Sequence, residues 1–138
     1  MSDFNNSSLD QFRNAVNNGS KQDQFEAARE FVNYRHYMNG IISYEILCNM
    51  YPEDKGLCLY KLGQTYMVME EEEKAIDHFL EAFEAGYDKE LCDDAIWDAC
   101  ERGYSKFREI DFIHQYKRYM PDGDYIRRAN DVIENARR

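Results

Sequence analysis

The chain has 138 residues, of which 27 are acidic and 17 basic, for a net charge of −10, and 43% of it is apolar. This length fits one domain with its own core, and the apolar share excludes wholesale disorder. The excess of acid disfavours nucleic-acid binding, because phosphates would be repelled. No run approaches the roughly 18 apolar residues that span a membrane. The N-terminus also lacks the pattern of a signal peptide, so we expect a cytoplasmic protein.

Charge is distributed unevenly along the chain. Residues 1–50 carry 4 basic and 6 acidic side chains, residues 51–101 carry 4 and 15, and residues 102–138 carry 9 and 6. The acidic centre favours a basic partner electrostatically. The alternative is that this acid serves solubility alone.

Residues 1–20 form an N-terminal segment rich in Asn, Ser and Asp. Within it Leu9, Phe12 and Val16 recur at helical spacing. This spacing predicts a short helix over Leu9–Asn17, preceded by frayed residues.

The remaining residues, 21–138, are predicted to form one domain of consecutive helices, since no alternation of period two is sustained. A broad apolar face that includes Phe25, Phe31 and Met38 predicts a helix over 22–38, interrupted by Asn39-Gly40. Further helical patterns end at prolines, glycines or runs of charge. They cover residues 41–51, 56–69, 74–86, 89–103, 107–120 and 122–138.

An internal repeat with an offset of 35 residues is the strongest signal in the chain. Small, aromatic and apolar residues recur at matching positions without a gap. The later set is Gly63, Tyr66, Ala75, Phe79, Ala82 and Tyr87, and the earlier set is Ala28, Phe31, Gly40, Tyr44, Leu47 and Pro52. Antiparallel helices cross closely only where a side chain is small. Gly63 and Ala75 are therefore predicted to form one crossing, and Ala28 and Gly40 the one before.

Residues 56–89 resemble the tetratricopeptide repeat, and residues 74–88 also resemble its Sel1-like subclass. The residues that carry the resemblance are Leu59, Leu62, Gly63, Tyr66, Ala75, Phe79 and Ala82. It implies an all-α array of antiparallel helix hairpins, a tetratricopeptide-like α-solenoid, with capping helices at both ends. Its units would lie at about 21–54, 56–89 and 90–121, with the C-terminal cap helix over 122–138.

The third unit departs from the repeat pattern. At an offset of 34 residues, Trp97 replaces the small residue and Glu109 replaces the alanine, while Ile113, Tyr116 and Pro121 fit. The sequence leaves open whether this hairpin keeps the geometry of the others.

No pattern typical of catalysis or metal binding is present. The three histidines are isolated, and H-x-x-x-H, G-x-S-x-G and glycine-rich phosphate loops do not occur. We therefore expect no enzyme activity, no cofactor and no metal site. The cysteines form no C-x-x-C pair and are expected to be reduced and mostly buried. They are Cys48, Cys58, Cys92 and Cys100.

Two groups of acidic residues remain. The run Glu70–Glu73 is expected to stabilise a helix N-terminus, with capture of a cation or basic partner as the alternative. A second group, predicted to form a solvated or partner-facing stripe on one helix, comprises Asp93, Asp94, Asp98 and Glu101.

The resemblance implies that a partner binds the concave surface lined by the first helix of each hairpin. Residues there that packing does not need become the candidate partner contacts. They are Arg29, Asn33, Tyr60, Gln64, Met67, Asp94, Asp98 and Glu101. The tyrosine and methionine would supply apolar anchors, and the carboxylates would face Lys or Arg of the partner.

The leading hypothesis is a protein-interaction module, an adaptor or chaperone for a peptide or a partner protein. The alternative is an acidic inhibitor or immunity-type protein that neutralises a basic enzyme such as a nuclease toxin. An enzyme is a third hypothesis, and a homodimer formed through exposed aromatic rings or repeat ends is a fourth.

Overall fold

A computed structural model describes residues 3–138, in which eight α-helices, one short 3₁₀ turn and no strand are found. Each helix packs against its neighbours in the chain. This is the all-α array of helix hairpins that the sequence predicts. The helices are α1 (Asp3–Asn18), α2 (Lys21–Asn33), α3 (Tyr37–Met50), α4 (Lys55–Val68), α5 (Glu72–Glu84), α6 (Lys89–Phe107), α7 (Asp111–Tyr119) and α8 (Ile126–Ala136), and the 3₁₀ turn is Pro52–Asp54.

The 35-residue offset recurs in the helix bounds on either side of the turn inside each hairpin, while the outer bounds of the two hairpins differ by 34 residues. The first helix of each hairpin ends at Asn33 in one and at Val68 in the other. The second helix begins at Tyr37 and at Glu72. The α2–α3 and α4–α5 hairpins are therefore two copies of one structural unit.

The turn inside each of these hairpins is also the same. Arg35 and Glu70 both adopt the left-handed conformation, with φ of 67° and 60°. The next residue donates its N–H to the carbonyl five residues earlier, at 2.7 Å in the first hairpin and 2.9 Å in the second. This is a Schellman ending, which usually places glycine at the left-handed position. Gly86, with φ of 87°, takes that position after α5.

Close approach at a glycine holds both hairpins together. A Cβ atom added to Gly63 would lie 2.5 Å from the Phe79 ring, so the aromatic ring lies directly over the glycine. Ala75, the other predicted member of this crossing, is fully buried. In the first hairpin a Cβ on Gly40 would lie 2.7 Å from Val32.

The third hairpin keeps such a crossing but moves it. The helix predicted to end at Gly103 continues to Phe107. A Cβ on Gly103 would lie 2.6 Å from the ring of Phe112 in α7. The glycine-on-ring contact therefore recurs near the turn of the hairpin, away from the position of Trp97.

The N-terminal helix is longer than predicted. It begins at Asp3 rather than at Leu9, and residues 1 and 2 lie outside the described part of the chain. Of the predicted apolar residues, Phe12 is buried and Val16 packs against the same core, while the side chain of Leu9 lies outside the described part of the structure. Ala15, which was not predicted, is buried as well.

The predicted helix over 22–38 is wrong at its end. The chain turns after Asn33 through the left-handed Arg35, and Asn39-Gly40 lies inside α3. Met38 consequently starts a new helix and is 60% exposed, instead of belonging to the core.

The core runs through the array as two joined clusters, one around α1 to α4 and one around α5 to α8. Tyr60, Tyr66 and Phe83 pack against both clusters. The prediction of four unpaired cysteines is confirmed. The thiol of Cys58 also hydrogen-bonds to Cys48 and lowers the pKa of the Cys48 thiol, a contact that the spacing of the cysteines did not reveal.

Candidate functional site

A groove with a volume of about 510 Å³ lies between α4 and α6, with α5 beneath it. Helical periodicity explains how it forms, since residues three or four apart share one face of each helix. We name it the α4–α6 groove. Its lining residues are Tyr60, Gln64, Met67 and Val68 of α4, Phe79 of α5, and Leu91, Asp94, Ala95, Asp98 and Arg102 of α6.

Five of the predicted contact residues line this groove together. Gln64, Asp94 and Asp98 are exposed, and Tyr60 and Met67 are half-buried. The apolar pair therefore lies on the walls, and the three polar side chains reach solvent along the rim.

The other predicted contacts lie elsewhere. Arg29 lines a smaller depression of about 290 Å³ together with Phe25 and Tyr44. Asn33 and Glu101 are exposed at the surface outside the groove. The predicted surface is thus two separate depressions and not one continuous face.

Several groove residues were missed from the sequence. Leu91, 41% exposed, precedes Asp94 by one helical turn, and Arg102 follows Asp98 by one turn. Extending the predicted stripe of α6 by one turn in each direction would have found both residues.

An aromatic cluster gives the groove a rigid wall. The Tyr60 ring lies 5.3 Å from the Phe79 ring and 5.1 Å from the Tyr87 ring, measured between centroids. Burial raises the pKa of the Tyr60 hydroxyl. Such a ring offers apolar area at little cost in side-chain entropy.

The acidic rim is partly held in place by the C-terminal segment. Asp94 accepts a hydrogen bond of 2.6 Å from the Tyr125 hydroxyl. This bond raises the pKa of Tyr125 to about 12. The Tyr125 ring in turn stacks on Trp97, with centroids 5.5 Å apart and planes 4° apart.

The second rim carboxylate has a weaker neighbour. Asp98 pairs with Arg102 at 3.3 Å, and both side chains are more than half exposed. Exposed pairs of this kind contribute little, about 0–1 kcal/mol. A cationic side chain of a partner would compete for Asp98 at small cost.

The residue beside Asp94 has a structural role. Asp93 was predicted to lie in the acidic stripe, but it is only 3% exposed. It accepts hydrogen bonds from the Tyr116 hydroxyl at 2.6 Å and from the backbone N–H of Asp124 at 2.9 Å. The Tyr125 N–H donates to the same hydroxyl at 3.0 Å. Asp93 therefore fastens the segment before α8 to α6.

The other end of the groove adjoins a depression lined by both acidic and basic side chains. Lys106 pairs with the buried Glu72 at 3.2 Å and donates to the Glu70 carbonyl at 3.0 Å. Together with Met67 and Arg102 these residues line a neighbouring depression of about 300 Å³. The run Glu70–Glu73 is thus partly used to fasten α5 to the end of α6.

Within the described residues, no group of three or more His, Cys, Asp or Glu side chains is placed to hold a metal ion. His78 donates from Nδ1 to the Lys74 carbonyl at 2.8 Å and stacks against Tyr66.

Among the helices of residues 3–138, none combines the length and apolar character that crossing a membrane requires.

No protein-family model, no curated protein and no solved structure matches the chain. Its function is therefore inferred from the groove itself.

Proposed function

We propose that this chain is a tetratricopeptide-like interaction module, an adaptor or chaperone, that holds a segment of a partner protein in the α4–α6 groove. The observation that carries the proposal is the pairing of apolar walls at Tyr60 and Met67 with exposed carboxylates at Asp94 and Asp98 in one groove. No catalytic step is assigned to it.

The tetratricopeptide-like assignment is supported by the structural repeat. Two hairpins share the bounds of the turn between their helices and a left-handed turn residue at an offset of 35 residues, and each has a close approach at a glycine. Hairpins of this kind stack side by side and leave the space between their first helices as a groove. The α4–α6 groove lies between the first helices of the second and third hairpins.

The lining predicts the chemistry of the bound segment. Its volume of about 510 Å³ suits one or two large apolar side chains, which would contact Tyr60 and Met67. The two aspartates would receive Lys or Arg from the residues beside that anchor. A short peptide with an aromatic or aliphatic residue flanked by basic residues meets both requirements.

The same proposal places the protein in the cytoplasm. All four cysteines are unpaired. Unpaired cysteines are the usual state in a reducing compartment, which is consistent with this location.

A binding assay with matched variants tests the proposal. The probe is a set of short fluorescent peptides that carry one Phe, Tyr or Leu between Lys and Arg residues, with acidic counterparts for comparison. We expect the basic set to bind and the acidic set not to. Asp98→Asn should weaken binding by about tenfold, or 1.4 kcal/mol. Glu101→Gln removes the same charge from α6 outside the groove and should leave affinity within about twofold.

Equal effects of Asp98→Asn and Glu101→Gln would contradict a groove site. Absence of binding by any peptide of the basic set would contradict the peptide as ligand.

A second function is favoured by the charge distribution, with 15 acidic side chains between residues 51 and 101. An acidic inhibitor would cover the positively charged substrate channel of a basic enzyme such as a nuclease. Basic ribonucleases and deoxyribonucleases are suitable probes. In this case the two variants should weaken binding alike, because the whole acidic surface contributes, and binding should fall steeply with salt.

A further inference from the structure

An exposed row of large apolar side chains runs along α3, on a helix that does not line the α4–α6 groove. Its members are Met38, Ile42, Ile46 and Met50, which are 60%, 52%, 39% and 39% exposed. They recur every four residues, so they form one continuous ridge along the 14-residue helix. We name it the α3 ridge.

The composition of α3 is unusual for an outer helix. Of its 14 residues only Glu45 is charged, and apolar residues occur all round it. Helices of this composition are normally covered on every side. Among the described residues, α3 packs on α2 and α4 and on the 3₁₀ turn, and its remaining face carries the ridge together with the exposed Glu45 and Asn49.

The order of residues in the ridge suits a second copy of the same chain. Met, Ile, Ile and Met occur in the same order in both directions along the helix. A two-fold axis near position 44 would place Ile42 against Ile46 of the other copy and Met38 towards its Met50. Such self-complementarity is what a two-fold interface requires, because each residue must fit its reversed counterpart.

Charge also favours a second copy at this face. With a net charge of −10, two chains repel each other at most of their surface. The region from residue 1 to 50, which contains α3, carries a net charge of only −2, against −11 for residues 51–101. The four side chains of the ridge are uncharged and Glu45 is the one charged residue of α3, so two copies can approach here at less electrostatic cost than at the surface of residues 51–101.

We propose that the chain forms a reversible homodimer in which the α3 ridges of two copies pack against each other across a two-fold axis. Ridges of this four-residue type pack at a crossing angle of about 50°, so the inner pair, Ile42 and Ile46, lies nearest the axis. The buried area is below the roughly 1,600 Å² of a standard interface, and we expect a dissociation constant in the micromolar range or weaker. The α4–α6 groove stays open in the dimer.

Sedimentation velocity over a wide range of protein concentration tests the dimer. We expect the wild-type mass to rise from one chain towards two as concentration increases. Ile42→Glu should weaken association at least about tenfold, because it places two like charges near the axis. Val68→Glu is the matched control, since Val68 is 55% exposed on the groove side, and it should dimerise as the wild type does.

Both substitutions are at exposed positions, so we expect the helices to stay intact, and circular dichroism of each variant checks this. A wild type that stays monomeric at every concentration overturns the proposal. Dimerisation of Ile42→Glu with wild-type affinity also overturns it.

A mixing experiment tests the antiparallel arrangement. Ile42→Glu and Ile46→Lys should each be monomeric alone, and the mixture should recover a heterodimer, because the new acid and base lie opposite each other. Mixing Ile42→Glu with Ile42→Lys should recover less. Equal recovery in both mixtures would overturn the proposed two-fold register.

Discussion

The two regular hairpins and the C-terminal hairpin each have a close approach at a glycine, but its position along the helices differs. In α4–α5 the contact of Gly63 with the Phe79 ring lies along the helices, and α2–α3 repeats the bounds of its turn 35 residues earlier. In α6–α7 the contact of Gly103 with Phe112 lies near the turn. Further along α6, away from this contact, the buried positions are occupied by Trp97 and by Asp93 with its hydrogen bonds.

The difference shows where the array ends and how its end affects the groove. A regular hairpin presents a face on which another hairpin can stack. In the third hairpin that face is used to fasten the segment before α8, through Asp93 and Tyr116. The same segment carries Tyr125, which holds Asp94 at the rim of the groove. The third hairpin thus links two things: the attachment of the segment before α8, through Asp93, and the position of Asp94 at the rim of the α4–α6 groove, through Tyr125.

The largest predicted effect is loss of the carboxylate that fastens the cap. Asp93→Ala leaves the buried Tyr116 hydroxyl and the part-buried Asp124 N–H without their acceptor. Unpaired buried donors cost about 1–3 kcal/mol each, so we expect a loss of about 3 kcal/mol in the free energy of unfolding. Urea denaturation measures it. Asp98→Ala, at an exposed carboxylate one turn away, should change stability by less than about 0.5 kcal/mol, and equal losses would exclude a special role for Asp93.

The next effect compares the two glycine crossings. An alanine at an open helix position stabilises by about 1 kcal/mol relative to glycine. At Gly63 and Gly103 the added Cβ would instead approach a ring to 2.5 and 2.6 Å. We expect Gly63→Ala and Gly103→Ala each to lower the free energy of unfolding by about 2 kcal/mol, measured by urea denaturation. If Gly103→Ala left the free energy of unfolding unchanged while Gly63→Ala lowered it, the helices of the third hairpin would not be tightly packed at Gly103.

Much of the regular part could be predicted from the sequence because its determinants are local. Gly63 and Phe79 lie within one hairpin, and their spacing recurs in the copy. Tyr60, Gln64 and Met67 were expected at the binding surface because the resemblance implies it, and they line one groove because a helix places residues at such intervals on one face.

The remainder depends on contacts between distant residues or on exceptional backbone conformations. Trp97 stacks on Tyr125, and Asp93 meets Tyr116, so neither environment could be deduced from its own helix. The end of α2 was missed because its left-handed residue is Arg35, whereas such turns are usually recognised by glycine.

A smaller effect is expected at these turn residues. Arg35 and Glu70 hold the left-handed conformation that Gly86 adopts without cost. Arg35→Gly should raise the free energy of unfolding by about 0.5–1 kcal/mol, and Gly86→Ala should lower it by about 1 kcal/mol. Thermal unfolding of both variants gives the comparison. A stabilising Gly86→Ala would contradict it, as no atom lies near enough to the added Cβ to intervene.

The smallest effect concerns the bond between the cap and the groove, and it depends on pH. Hydrogen bonding to Asp94 raises the pKa of Tyr125 to about 12, while a tyrosine in an unfolded chain titrates near about 10. The folded state therefore holds this proton more tightly. The stability that the bond contributes is present in full below about pH 10 and is lost as pH rises towards 12. Tyr125→Phe keeps the ring on Trp97 and removes the bond.

The stability difference between wild type and Tyr125→Phe should accordingly be constant from pH 7 to about pH 9 and shrink between about pH 10 and pH 12. Other tyrosines titrate in this range, among them Tyr44, whose pKa burial raises to about 12, but they are common to both proteins and cancel in the difference. Denaturation at several pH values measures it. A difference that does not change with pH would mean that the hydroxyl of Tyr125 does not depend on Asp94, and the cap would then not orient the rim of the groove.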